Sequence, residues 1–227
     1  MMGDEAHHLA IVLRGEEGRI VELIDGSGQV WKGTVARVDI DSRQVDLTDV
    51  ELLVSASPRP VQIRLMQSLC RTEKLEWILQ KSAELGVAEI HLLSAERSVL
   101  RIPAEKMESR MTRWRKILLA ATKQSRRSTV PTLHAPVKVA ALPPIQADLK
   151  LLMSESERDS TLKNILRESA RSSAVLALGP EGGWTRLEVD AFVSGGFQPV
   201  TLGSAVLRAE TAAIVSVAIL QYELDLT

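Results

Sequence analysis

The chain has 227 residues, 45% of them hydrophobic and 25% charged, with a formal net charge of -1, so overall charge gives no argument for a nucleic-acid partner. No apolar run reaches the length of a membrane helix, and Met1–His8 lacks the apolar core of a signal peptide. The single cysteine, Cys70, excludes an intramolecular disulfide and a cysteine-built metal site, and it fits a reducing, cytoplasmic location.

The first third has the texture of short strands. Arg19–Ile24 alternates and runs into the turn signal Asp25-Gly26-Ser27-Gly28, Gln29–Val38 holds Val30, Trp31, Thr34 and Val35, and Arg43–Val54 alternates Val45 and Leu47, with Leu52 further on. Short strands joined by tight turns predict a small β-barrel over residues 1–57. Residues 55–60, Ser-Ala-Ser-Pro-Arg-Pro, read as a linker. Strand and helix alternate beyond it. Val61–Leu69 is extended, and Glu73–Leu85 sets Leu75, Ile78, Leu79 and Ala83 at helical spacing with Gly86 to end the helix. Val87–Leu93 is a strand and Pro103–Ser125 a long helix opened by its proline. Leu149–Met153 and Ala174–Leu178 are short apolar runs of the kind found in buried parallel strands. Thr185–Val193 is helical, Pro199–Leu202 extended and Ala209–Leu226 helical. Residues 61–227 are therefore expected to form an α/β domain around a mostly parallel sheet.

Three segments invite chemistry. Leu178-Gly179-Pro180-Glu181-Gly182-Gly183-Trp184 joins a buried strand to a helix, and ligands of open α/β sheets bind at the carboxyl ends of strands. It is either a tight turn before a capped helix or a backbone cradle for a ligand. It carries neither a dinucleotide fingerprint nor a Walker A lysine. Leu202-Gly203-Ser204, followed by Leu207-Arg208-Ala209-Glu210, repeats the strand–glycine–helix pattern; Glu210 either complements a helix dipole or serves the site. The stretch 110–127 holds seven basic residues and no acidic one. Arg113, Lys116, Lys123 and Arg127 share one helical face, either a solvated surface or a phosphate-binding one. His7 and His8 are too isolated to argue for a metal, so none is expected. His91, Trp77 and Trp114 read as packed, Cys70 as a packed thiol, and Trp184 either borders the ligand loop or caps the following helix.

Taken together and in this order, these segments resemble the bacterial 16S ribosomal RNA uridine-N3 methyltransferases, the RsmE family of the SPOUT superfamily. The matching residues are His7-His8-Leu9 with Val12-Leu13-Arg14; Glu76-Trp77-Ile78 with Gln80-Lys81; Glu84-Leu85-Gly86-Val87; Glu96-Arg97-Ser98; Arg113-Trp114 with Lys116-Ile117; Gln124-Ser125 with Val130-Pro131; Gly179 to Gly183; and Leu202-Gly203 with Leu207-Arg208 and Glu210-Thr211-Ala212. The sequence departs from the family at Arg126, usually glycine, at Lys123, commonly acidic, and at Ala209, commonly threonine. The family's Arg-Phe-Phe opening is also missing.

The resemblance implies a PUA-like β-barrel, an RNA-binding candidate over residues 1–57, and a SPOUT catalytic domain over 61–227 with a deep trefoil knot. It implies S-adenosyl-L-methionine held by Leu178, Gly179, Pro180, Glu181, Gly182, Gly183, Leu202, Gly203, Ser204, Leu207 and Arg208, mostly through backbone groups. The implied reaction moves a methyl group from a sulfonium to N3 of a uridine, so positioning and loss of the N3 proton dominate. Arg208 and Arg97 are candidates to polarise the uracil carbonyls, and Glu181 and Glu210 to move the proton or orient those arginines. RNA contacts are expected from Arg14, Arg113, Lys116, Lys123, Gln124, Arg126 and Arg127, with 16S rRNA or the small ribosomal subunit as partner. The nearly all-apolar helix from Ala209 predicts a homodimer. The rival readings are another SPOUT methyltransferase, acting on a ribose 2′-oxygen or guanine N1, and a non-catalytic RNA-binding module.

Overall fold

In a computed structural model, residues 4–12, 16–54, 62–167 and 171–225 are described. The chain divides into two compact units, Met1–Pro58 and Arg59–Thr227. Arg14 and the expected linker lie outside the described residues.

The first unit contains a short helix α1 (Asp4–His7), a π-helical turn (His8–Val12) and strands β1 (Ile20–Ile24), β2 (Val30–Asp39) and β3 (Gln44–Val54). The strands form an antiparallel sheet in the order β1-β2-β3. Alternation puts Val35 and Val45 on the covered face, where they meet Ala6 and Leu9. The turn signal after β1 works as expected: the Asp25 carboxylate accepts from the Ser27 amide at 2.8 Å and the Gln29 amide at 3.2 Å.

The second unit is built on six parallel strands in the order β6-β5-β4-β8-β7-β9. These are β4 (Gln62–Ser68), β5 (Glu89–Ser94), β6 (Thr132–Lys138), β7 (Leu149–Met153), β8 (Ser173–Leu178) and β9 (Gln198–Val200). The helices are α2 (Thr72–Glu84), α3 (Ala104–Gln124), α4 (Leu162–Leu166), α5 (Arg186–Ser194) and α6 (Ala209–Asp225). The larger core packs α2, α3, α4 and α6 on one face of the sheet, with Leu65, Ile78, Trp114, Leu118, Leu176 and Val217 inside. The smaller core sets Phe192 and Phe197 against Met66, Leu152 and Val175 on the other face. Both faces are covered, so the central strands read as unbroken apolar runs.

Two elements escape the sequence pattern. β6 contains Pro136, which removes a ladder donor; it survives as an edge strand, where the register of β5 against β6 shifts between His91 and Leu93. The other, α4, is five residues long, too short to show a period. Trp77, expected in the core, is 49% exposed, with the Lys81 ammonium 4.8 Å above its ring. Trp114 is fully buried, as expected.

At the end of α3 the amide of Arg127 bonds the Thr122 carbonyl (3.0 Å) and that of Arg126 the Lys123 carbonyl (3.1 Å). This C-cap puts Arg126 at φ 55°, the left-handed region, which is the physical sense of the family's glycine. Among the described residues one cluster mixes histidine and carboxylate at bonding range: Glu89, His91 and His134. His134 Nε2 lies 3.1 Å from Glu89 Oε2, and the two imidazoles stack at 4.1 Å with 6° between their planes. Arg64 donates to the other carboxylate oxygen at 3.1 Å. His91 Nε2 also lies 3.3 Å from Glu89 Oε2. His91 is held below its ordinary value, first by burial and then by the neighbouring His134 charge, against the pull of Glu89.

Two outcomes follow from these features. Arg126→Gly should raise the urea unfolding midpoint. Left-handed strain of about 1–2 kcal/mol exceeds the about 0.5–1 kcal/mol entropic penalty of glycine. A lowered midpoint would mean that the arginine side chain holds the turn. Because the folded state resists protonating His91, the unfolded chain binds the proton more readily, and stability should fall as pH drops through about 6.5. Denaturation between about pH 7.5 and about pH 5.5 should show this loss, and His91→Gln should flatten it.

Candidate active site

The order β4-β8-β7-β9 brings the carboxyl ends of three strands together, and a cleft of about 300 Å³ opens there. Three loops line it, together with Arg97 from the segment after β5. Those after β8 and β9 were anticipated and contribute Leu178, Gly179, Pro180, Glu181, Gly183, Leu202, Gly203, Ser204 and Leu207. The third, Met153 to Ser156 with Arg158, was missed. A short apolar strand running into Ser154-Glu155-Ser156-Glu157 was the available signal, read only as a strand end. Gly182 and Arg208 are not in the lining. A side chain at 182 would meet Arg97 Cβ at 3.1 Å, and Arg208 is exposed beside the cleft.

The glycines are explained by close approach. A Cβ at Gly179 would lie 3.2 Å from the Trp184 indole, and one at Gly183, whose φ is +69°, would lie 3.0 Å from the Glu155 carboxylate. Trp184 both borders the cleft and packs: its Nε1 donates to the Met153 carbonyl at 3.1 Å, and its ring meets Phe192 edge-on at 5.0 Å. Thr185 and Glu188 then form a capping box that starts α5. Glu188 also accepts from the Glu96 amide at 2.9 Å, which brings Arg97 against the loop. Arg97 donates to the carbonyls of Gly182 at 3.0 Å and Trp184 at 3.4 Å. The loop after β7 is pinned to β9 by Ser154 N to Val200 O (3.0 Å) and Leu162 N to Thr201 O (2.9 Å).

Both carboxylates approach a lysine that the sequence did not point to. Glu181 and Glu210 both face Lys74, in the first turn of α2, at 3.5 and 3.2 Å. Glu181 also accepts from the Arg71 amide at 3.4 Å, at the start of a helix with no side-chain cap of its own. Burial would raise Glu210, but its own amide, the Lys74 ammonium and the Arg208 charge together hold it below the usual carboxylate value. Glu210 is thus an ionised carboxylate rather than a proton donor at neutral pH. Burial and the Glu181 charge push the Cys70 thiol up to about 12, so a thiolate nucleophile is closed to this site.

The basic helix divides. Arg113 makes a two-pronged ion pair with Glu76, at 2.6 and 2.8 Å. Arg127 donates to the Glu84 carbonyl at 2.6 Å. Lys116, Lys123, Gln124 and Arg126 are exposed.

A parallel-sheet rim cleft with glycine loops and a basic helix defines a class, and comparison with known proteins agrees. The family described as "RNA methyltransferase domain" matches residues 57–221, and "RNA methyltransferase PUA domain" matches residues 3–48. The "Ribosomal RNA small subunit methyltransferase E" of Synechocystis is 32% identical over 94% of this chain and 69% of its own length. That of Bacillus subtilis is 29% identical over 99% of this chain and 90% of its own. The Neisseria gonorrhoeae enzyme of that name, solved bound to S-adenosyl methionine, superposes with a TM-score of 0.84 at 30% identity, over 98% of this chain and 90% of that one. A Legionella pneumophila methyltransferase in complex with the same cofactor gives 0.81 at 33%, over 96% and 88%. The chain is an RNA methyltransferase. It belongs to the ribosomal RNA small subunit methyltransferase E family.

The cleft suits the cofactor seen in those neighbours, because glycine backbone faces it where side chains would intrude. Gly182→Val should lower S-adenosylmethionine affinity at least about tenfold, equivalent to about 1.4 kcal/mol, without unfolding the chain. The route is displacement of Arg97, so Arg97→Ala should act in the same direction. Unchanged affinity in calorimetry would separate this loop from cofactor binding.

Proposed function

We propose that the chain methylates N3 of a uridine in small-subunit ribosomal RNA, with S-adenosylmethionine as donor. The observation that carries the reading is the cleft formed by three loops at one sheet rim, in a chain whose relatives bear that name and bind that donor. When bound, the donor supplies a sulfonium-activated methyl group: the S–C bond breaks as the N3–C bond forms, and S-adenosylhomocysteine and one proton are released. The chain's own residues have three tasks. Glycine backbone and the Met153 to Ser156 loop hold the donor. Arg97, in the cleft lining, and Arg208, exposed beside it, are given the task of meeting charge that grows on the uracil oxygens as N3 loses its proton. Glu181 and Glu210 hold Lys74 between them at 3.5 and 3.2 Å.

The reading extends to the assembly. One face of α6 is buried through Ala213, Val217, Leu220 and Leu224, while Val215 and Tyr222 on the other are 36% and 67% exposed. Val206, before α6, is 75% exposed. A second copy covering this surface would make the homodimer. The trefoil knot belongs to the same reading, supported by the hydrogen bonds that pin the loop after β7 to the end of β9. A cytoplasmic location is supported by the free, buried Cys70 and by the lack, among the described residues, of a helix long and apolar enough to cross a membrane. The first unit is read as a second RNA-binding surface.

Two measurements test this reading. Small ribosomal subunits lacking the modification, treated with enzyme and donor and digested to nucleosides, should yield 3-methyluridine by mass spectrometry. A ribose-methylated nucleoside or a methylated guanine would overturn the uridine assignment, and no product would overturn the activity. N3 carries the pairing proton of uridine, so the target must be unpaired or flipped out. Replacing Lys116 and Lys123 with Gln should weaken RNA binding and reduce its salt slope by about 0.7–0.9 for each phosphate no longer neutralised. Arg113→Gln should do less, because Glu76 already holds that charge. An unchanged slope in the double lysine variant would make the helix a solvated surface.

A further inference from the structure

We propose that Lys74 is a positioning residue for methyl transfer, joining the loop after β8 to the start of α6 through Glu181 and Glu210. Lys74 does not line the cleft, and no sequence motif pointed to it. Yet among the described ion pairs it is the one that reaches both loops: its Nζ is 3.5 Å from Glu181 Oε1 and 3.2 Å from Glu210 Oε2. The three side chains are only 26%, 23% and 18% exposed, so solvent screens them less than an ordinary surface pair.

The arrangement is built from three distant segments. Lys74 sits in the first turn of α2, directly after the strand β4 that lies beside β8. Glu181 approaches the same helix start, where the Arg71 amide donates to it. Glu210 opens α6, which packs on α2. A lysine at this point therefore links the glycine loop after β8 to the start of α6.

Charge gives the clamp its chemical role, which rests on the uridine reading. Removing the N3 proton puts negative charge on the uracil ring, and two uncompensated carboxylates beside the cleft would oppose it. Lys74 together with Arg208 balances them. The groups acting on Glu210 are Lys74 from α2 and Arg208 from the loop before α6; Glu181 from the loop after β8 shares the Lys74 ammonium, and Cys70, between β4 and α2, feels the Glu210 charge but its thiol stays neutral. Without the lysine, Glu181 and Glu210 keep their burial and their mutual repulsion but lose the shared cation, so Glu210 should take a proton at higher pH.

The test uses full-length protein, labelled S-adenosylmethionine and small ribosomal subunits lacking the modification, with wild type measured alongside. Lys74→Met should lower kcat at least about tenfold (about 1.4 kcal/mol of transition-state stabilisation). Its KM for the donor should change by less than about threefold. The acidic limb of its pH–rate profile should move to higher pH, and Lys74→Arg should restore most of both. A ¹³C NMR titration of Glu210, assigned with Glu210→Gln, should show the carboxyl titrating at higher pH in Lys74→Met, a readout independent of turnover. If Lys74→Met does not fold, the Lys74→Arg profile and its Glu210 titration decide: both should stay close to wild type. Full activity in Lys74→Met, an unmoved acidic limb and Glu210 titration, or a defect confined to donor KM would each overturn the proposal. An inactive wild type would instead overturn the functional reading and leave the Glu210 titration to judge the clamp.

Discussion

The parallel pairing of β8 between β4 and β7, with β9 beyond, is the constraint on which the rest depends. Parallel strands end on the same side, so three loops from residues 153, 178 and 200 onward open on one rim. Antiparallel pairing of any one of them would send its loop to the opposite edge and leave the cleft without a wall. The pairing is held by burial: Leu151, Leu152, Val175, Leu176 and Ala177 are fully enclosed between helices on both faces. Each of the four enclosed leucine and valine side chains stabilises the sheet by about 1.5–3 kcal/mol, so the rim is a rigid consequence of the core.

The cleft wall is made by backbone approach and by a few tethers. Trp184 bonds the end of β7, Arg97 bonds two carbonyls of the glycine loop, and Glu188 ties the segment bearing Arg97 to the start of α5. Each tether crosses between strands far apart in the chain. Groups fixed this way need little reorganisation when charge develops on a substrate, which is how a site with an activated donor gains rate.

The charged residues follow a similar logic. Arg113 on α3 and Arg127 just after it bond Glu76 and the Glu84 carbonyl and tie α2 to α3 and its C-terminal turn. The exposed lysines and Arg126 lie beyond them toward solvent. A run of positive charge in sequence thus includes residues engaged in the packing of neighbouring elements, Arg113 and Arg127, beside residues on the exposed surface.

How much of this was legible depends on range. Local order was written in the sequence: strand runs such as Ala174–Leu178, the helical spacing of Leu75, Ile78 and Leu79, and the glycines after β8 and β9 each act within a few residues. Family resemblance carried the cofactor loops, because the matched segments include their glycines. The loop after β7 and Lys74 were not legible, since neither carries a motif and each matters through segments distant in the chain. The pairing of Arg113 with Glu76, the Arg127 bond to the Glu84 carbonyl, and the stacking of His91 on His134 were hidden for the same reason. The sequence by itself determined which segments become strands, helices and glycine turns, because those choices rest on side-chain period and backbone freedom. The tertiary structure alone decided which charges face each other across the cleft, because an ion pair depends on the distance between elements, and the sheet order sets that distance.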